Sequence, residues 1–217
     1  MQSDSLAQWK IKLEKGLLAL EQQHQKRSLT EIQGTDFCSN DYLGLAVHPA
    51  MREAVLQAVQ TTTRVGGTAS RLLSGQCKEW RELEEEFAEF AGTEAALFFS
   101  SGYAANLGMM AALVGQGDVV YSDVLNHASL IDGMRLSGAR KVIYPHLDID
   151  ALEESLRQDA GAPWRRLIIT ESVFSMNGDV APLKELAVLA QKYGAMHDRT
   201  CADPNMFATV FAFWTSG

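Results

Sequence analysis

Residues 119–170 read VVYSDVLNHASLIDGMRLSGARKVIYPHLDIDALEESLRQDAGAPWRRLIIT, and this stretch decides the fold class. The short apolar runs at Val119–Tyr121, Val142–Tyr144 and Leu167–Thr170 have the length of strands. Between them lie Ser129–Leu136 and Ala151–Leu156, with helical spacing, the second begun by Asp150 with Glu153 three residues on. Strands that alternate with helices pair in parallel through crossovers, so the expected fold is an α/β layer with a largely parallel sheet. Such sheets bind ligands outside the carboxyl ends of their strands.

The pattern extends in both directions. Ala95–Phe99 reads as a further strand and Tyr103–Val114 as its helix, while Leu183–Tyr193 reads as a helix stopped by Gly194. Earlier still, Trp80, Leu83, Phe87 and Phe90 form a helical stripe, with Glu82, Glu85, Glu86 and Glu89 as its solvated face. Pro49 opens a helix through Met51, Val55 and Val59, and a Gly- and Ser-rich loop follows at Val65–Gln76. Leu6, Trp9, Leu13, Leu17 and Leu20 mark an amphipathic helix within residues 6–26. The expected division is an N-terminal helical arm and linker over 1–48, an α/β domain over 49–195 and a tail over 196–217. After Gly194 the alternation calls for another buried strand, yet Ala195–Pro204 is polar and ends in proline. The sheet is therefore expected to stop after Leu167–Thr170, leaving Met206–Trp214 uncovered.

Composition narrows the partners. The chain has 217 residues, 47% hydrophobic and 21% charged, a net charge of −8 and a mean hydropathy of −0.08, which excludes a disordered or low-complexity chain. The acidic balance argues against nucleic acid and anionic membrane surfaces. No apolar stretch reaches the roughly 20 residues of a membrane span, and the first residues lack a signal-peptide pattern, so a cytoplasmic protein is expected. Cys38, Cys77 and Cys201 are far apart and form no CxxC pair.

Three loops fall on the expected ligand edge. Ser101, Gly102 and Tyr103 lie where a strand gives way to a helix, so backbone N–H groups and the Ser101 hydroxyl suit a phosphate; the same residues also cap helices without any ligand. Neither a Gly-Lys-Ser/Thr nor a GxGxxG sequence is present, which disfavours a nucleotide P-loop and a dinucleotide site. His127 begins the next helix, as a cap or as a site residue. Glu171, Ser175 and Gly178 occupy the third loop. His146, Asp148 and Asp150 alternate at a strand-to-helix junction, where Asp acts as a cap; no metal site is expected.

Five segments in order then carry a resemblance: Ser39-Asn40-Asp41-Tyr42-Leu43-Gly44-Leu45, Gly66-Gly67-Thr68-Ala69-Ser70-Arg71-Leu72-Leu73-Ser74-Gly75, Ser101-Gly102-Tyr103-Ala104-Ala105-Asn106, Asn126-His127-Ala128-Ser129-Leu130 and Glu171-Ser172-Val173-Phe174-Ser175-Met176-Asn177-Gly178-Asp179. Over residues 6 to 195 the chain resembles the α-oxoamine synthases, homodimeric pyridoxal-phosphate enzymes with the aspartate-aminotransferase (type I) fold. The resemblance implies a large-domain parallel-sheet core and a decarboxylative condensation of an amino acid with an acyl thioester. The expected substrates are L-alanine with pimeloyl-CoA or a pimeloyl carrier protein; glycine with acetyl-CoA is the alternative. By the same resemblance, Ser101, Gly102 and Tyr103 hold the cofactor phosphate, His127 stacks on the pyridine ring and contacts the substrate carboxylate, and Ser175 bonds near the phenolic oxygen. Arg27 stands where an arginine meets the acyl substrate, Asn40 near the amino-acid site, and the loop at 66–75 where the family dimer reaches its partner.

The departures from the family lie downstream. The family continues with an apolar strand ending in Asp-Glu/Asp-Ala-His, then the Schiff-base lysine and a small domain. Neither Lys141 nor Lys184 stands in that lysine's context. The core is therefore expected to be truncated before the lysine and the small domain, the tail to come from a frameshift near residue 195, and the chain itself to be a catalytically inactive remnant.

Overall fold

The computed structural model describes residues 2–31, 33–200 and 212–213, and for residues 2–4, 197–200 and 212–213 it describes the backbone alone. The chain divides into two compact units, Met1–Ser39 and Asn40–Gly217. The first carries helix α1, Gln2–Gln22. It ends four residues short of the expected bound, because His24 takes a left-handed φ of 55° and Gln25 and Lys26 return their N–H groups to Leu20 O. Its apolar stripe, Leu6, Trp9, Leu13, Leu17 and Leu20, is exposed.

In the second unit, helix α2, Pro49–Thr61, starts at Pro49, with the His48 ring accepting the Ala50 N–H. Helix α3, Lys78–Ala91, is stopped by Gly92 at φ 66°. Its acidic face is solvated: Glu82 pairs with Lys78 and Glu85 with Arg81 at the surface. Glu84 turns the other way. It accepts from the two terminal guanidinium nitrogens of Arg71 at 2.7 and 2.8 Å and from the N–H of Phe98 at 2.8 Å, while Arg71 lies over the Trp80 ring.

This ion pair explains one correction. Ala95–Phe99 is not a strand. A strand needs a neighbour to complete its ladder. Here the Phe98 backbone bonds the side chains of Glu84 and Arg71 instead.

Helix α4, Gly102–Leu113, then leads into the sheet: β1 Val119–Asp123, α5 Ala128–Ser137, β2 Arg140–Tyr144, α6 Ile149–Gln158, β3 Arg166–Glu171, α7 Leu183–Tyr193, β4 Met196–Thr200 and β5 Ala212–Phe213. The order is β2-β1-β3-β4-β5, with β1, β2, β3 and β4 parallel and β5 antiparallel to β4. Tyr121 is in register with Val142 on one side and Ile168 on the other. Because successive side chains alternate faces, Val119, Tyr121 and Ile168 pack on Leu152, Leu156, Leu186 and Leu189 of α6 and α7. Val120, Leu167 and Ile169 pack the opposite way, on Met109, Met110, Leu130 and Met134 of α4 and α5. These central strands are buried on both faces, as the apolar runs require.

Two further expectations are corrected. Helix α6 is capped by Asp148, not Asp150: the Asp148 carboxylate accepts the Ala151 N–H at 2.9 Å, and Asp150 lies inside the first turn. The sheet also does not stop after β3. Leu167 through Glu171 pair with Met196 through Thr200. Ladder bonds come from backbone groups, which every residue but proline supplies, so the polar Met196–Thr200 sequence does not prevent pairing. Of the expected uncovered run Met206–Trp214, only Ala212–Phe213 lies within the described residues, as β5; Cys201 lies outside them.

A candidate active site at the carboxyl edge of the sheet

The carboxyl ends of β1, β2 and β3 bring Asp123, Tyr144 and Glu171 to one edge, where the loops with His127, His146 and Ser175 begin. Helix α4 meets this edge through Tyr103, whose ring lies 6.3 Å from that of His127 and whose hydroxyl donates to Asp132 of α5.

Ser101 caps α4, its hydroxyl accepting the Ala104 N–H at 3.1 Å, and its carbonyl accepts the Ala105 N–H. A helix leaves its first N–H groups without intrahelical acceptors. Those of Gly102 and Tyr103 have no partner among the described residues, so this end of α4 offers two converging donors and the positive end of a dipole to an anion.

His127 caps α5 and is anchored at three points. Its ring Nδ1 accepts the Ser129 N–H at 3.1 Å and lies 2.7 Å from the Ser129 hydroxyl. That hydroxyl in turn receives the Asn106 amide at 2.8 Å, and both Asn106 and Ser129 are buried. An Nδ1 that accepts a backbone N–H carries no proton, so the ring hydrogen sits on Nε2, a donor with no partner among the described residues. The third anchor is the His127 backbone N–H, which donates to Glu171. Glu171 is buried at the end of β3. Burial pushes its carboxyl up to about 7; the His127 N–H opposes this rise and the charge of Asp123 adds to it.

Asn126, next to His127, is buried and bonds Ser122 at 2.8 Å and Ile169 O at 3.0 Å, which ties the β1 loop to β3. Its Oδ1 and that of Asn106 are buried without hydrogen-bond partners among the described residues. Ser175 is exposed, in the turn of a short hairpin closed by the Val173–Val180 bridge and by Gly178 at φ 78°. Asn40 is half-buried ahead of the turn that Tyr42 N–H closes on its carbonyl. Arg27 is exposed and belongs to the first unit. The structure thus draws Ser101, Gly102, Tyr103 and His127 together and puts Ser175 on the hairpin that follows β3. Among the described residues, no cluster of three or more His, Cys, Asp or Glu side chains is placed to hold a metal. No described helix is long and apolar enough to cross a membrane.

Sequence reading missed one part of this edge. His146, set aside as part of a capping segment, bonds Asp123 at 2.9 Å through Nδ1 and Asp179 at 3.1 Å through Nε2, with the Phe174 ring against it. The sequence signal was a pair of aspartates, Asp123 at the end of an apolar run and Asp179 at the end of the third loop, 23 and 33 residues away.

Comparisons with known proteins place the chain among relatives. The family model for aminotransferase class I and II matches residues 32–197. The chain is 56% identical over 159 residues to the 8-amino-7-oxononanoate synthase of Geobacter sulfurreducens, covering 73% of this chain and 40% of that one. It is 45% identical over 196 residues to a putative 8-amino-7-oxononanoate synthase of Thermodesulfovibrio yellowstonii, covering 84% and 50%. The chain thus spans two fifths to one half of the length of these curated relatives. Among solved structures, Sphingomonas wittichii serine palmitoyltransferase superposes with a TM-score of 0.68 at 38% identity, over 72% of this chain and 39% of that one. A serine palmitoyltransferase from S. paucimobilis with a bound PLP–myriocin aldimine gives 0.68 at 36%, over 72% and 40%. The 8-amino-7-oxononanoate synthase of Francisella tularensis shares the fold, with a TM-score of 0.62 at 23% identity, over 83% of this chain and 58% of that one.

Proposed function

This chain belongs to the class I and II aminotransferase family, and from that premise we propose that it is the N-terminal part of an 8-amino-7-oxononanoate synthase, which condenses L-alanine with a pimeloyl thioester and releases carbon dioxide and the thiol. The observation that carries the proposal is the convergence of a helix N-terminus, with two N–H donors free among the described residues, and a rigidly held histidine at one sheet edge, in a chain 56% identical over 159 residues to an enzyme of that name.

The residues present fit pyridoxal phosphate. The Gly102 and Tyr103 N–H groups and the Ser101 cap would hold its phosphate. His127 would stand against its ring, presenting Nε2–H to a substrate carboxylate. Ser175 would serve the phenolic side. When bound, the cofactor supplies the electron sink that stabilises a carbanion beside the amino group. The protein's part is to orient: α4 grips one end of the ligand, and the Asn106–Ser129–His127 chain fixes the ring that faces it. Arg27 and Asn40 are proposed as acyl- and amino-acid-side contacts in the assembled homodimer.

The test exchanges residues 40–195 for the matching segment of the Geobacter sulfurreducens enzyme. The expected hybrid binds pyridoxal phosphate and turns over alanine with pimeloyl-CoA within about tenfold of its parent. A hybrid that prefers glycine and acetyl-CoA would reassign the substrates, and a folded hybrid that fails to bind the cofactor would overturn the site.

A further inference from the structure

His146 joins all three loops of the site edge, although nothing in the proposed chemistry uses it. It follows the carboxyl end of β2; its Nδ1 lies 2.9 and 3.0 Å from the two oxygens of Asp123 at the end of β1, and its Nε2 lies 3.1 Å from Asp179 on the hairpin after β3. A carboxylate is acceptor-only, so a ring nitrogen facing one donates a proton to it. With a carboxylate on each side, both nitrogens donate and the ring is an imidazolium. Asp123 is buried and further fixed by the N–H groups of Leu125 and Leu147 at 2.8 and 2.9 Å, so it is the rigid end of the arrangement. Asp179 stands at the other end, on the hairpin closed by the Val173–Val180 bridge; its carbonyl accepts the Phe174 N–H, and the buried Phe174 ring meets that of His146 in a T-shaped contact at 4.5 Å.

We propose that His146 is a positioning residue, a charged clamp that holds the 173–180 hairpin, and with it Ser175, against the end of β1. Its relevance to cofactor binding rests on the role proposed above for Ser175; the clamp itself does not. Phe174 and Ala181 root the hairpin in the core, while Val173, Met176 and Val180 are exposed, and one bridge with a few backbone bonds is marginal by itself. Charge-assisted hydrogen bonds are about twice as strong as neutral ones, which makes the clamp a source of local order beside the buried Phe174. The charged groups that reach His146 are Asp123 and Asp179, and their bonds outweigh a burial that works against the charge, so the ring holds its proton above the usual histidine range.

Two measurements on the full chain, neither with cofactor present, test the clamp. In ¹⁵N-histidine spectra near pH 7, the resonance lost in His146→Gln should report protons on both ring nitrogens, and Asp179→Asn should lower the pH at which that ring titrates. In hydrogen exchange, amides of residues 173–181 should exchange about tenfold faster in His146→Gln, with those of β1 and α5 unchanged. A neutral His146 at pH 7, or an unaltered hairpin in a folded His146→Gln or Asp179→Asn chain, would overturn the inference and leave the cofactor proposal to its own test.

Discussion

His127 and Glu171 show how two side chains on different elements become one device. The Glu171 carboxylate takes the His127 N–H, so the strand end and the helix start are locked together by a group whose burial disfavours its charge. Since the folded-state pKa of about 7 lies above the usual glutamate value, the folded protein binds the extra proton between about pH 4.5 and 7. Stability should therefore fall as pH rises through that window, by a total on the order of 3 kcal/mol for Glu171 alone, and flatten above it. Thermal melts of wild type and Glu171→Gln across this range check the sign: the variant should lose most of the slope. For His127, a cap alone predicts that His127→Ala costs about 1 kcal/mol and leaves activity intact. The site role predicts in addition a loss of turnover by orders of magnitude in the hybrid enzyme, with cofactor affinity largely retained through α4. Melting temperature and alanine-dependent rate on the same variant separate the two.

At the scale of elements, α4 and α5 approach closely because Gly133 has no side chain. A Cβ there would lie 2.8 Å from Met110 Cγ, 2.9 Å from its Cβ and 3.2 Å from Asn106 O. Alanine favours a helix over glycine by about 1 kcal/mol, but this overpacking costs about 1–3 kcal/mol, so Gly133→Ala should lower the melting temperature. It should also disturb the Asn106–Ser129–His127 chain, visible as a change in the His127 ring resonances. The Arg71–Glu84 pair acts on another segment, through the Phe98 backbone. Glu84→Ala removes the acceptor of both Arg71 and the Phe98 N–H, and a loss of about 1–3 kcal/mol is expected in denaturant unfolding. A loss below half a kcal/mol would mean that water replaces the carboxylate at no cost.

For the whole molecule, the fold class follows from residue order. Apolar runs such as Val119–Tyr121 and Leu167–Thr170 are buried on both faces, and helical stretches of the right length separate them, so an alternating parallel sheet could be read before any coordinates. Turn and cap chemistry is equally local, which is why Pro49, Gly178 and Gly194 stood where expected. The positions of Ser101 at the start of α4 and His127 at the start of α5 were legible for the same reason. What residue order left open was decided by partners distant in sequence. Ala95–Phe99 has strand composition, yet whether it is a strand depends on a neighbouring backbone, and Glu84 and Arg71 took its hydrogen bonds. Met196–Thr200 has the wrong composition, yet β3 lay open beside it. His146 looked like part of a capping segment until folding set Asp123 and Asp179 on either side of it. Local propensity and periodicity are properties of neighbours along the chain, so sequence determined the elements and their order; pairing and charge are properties of neighbours in space, so only the tertiary structure decided them.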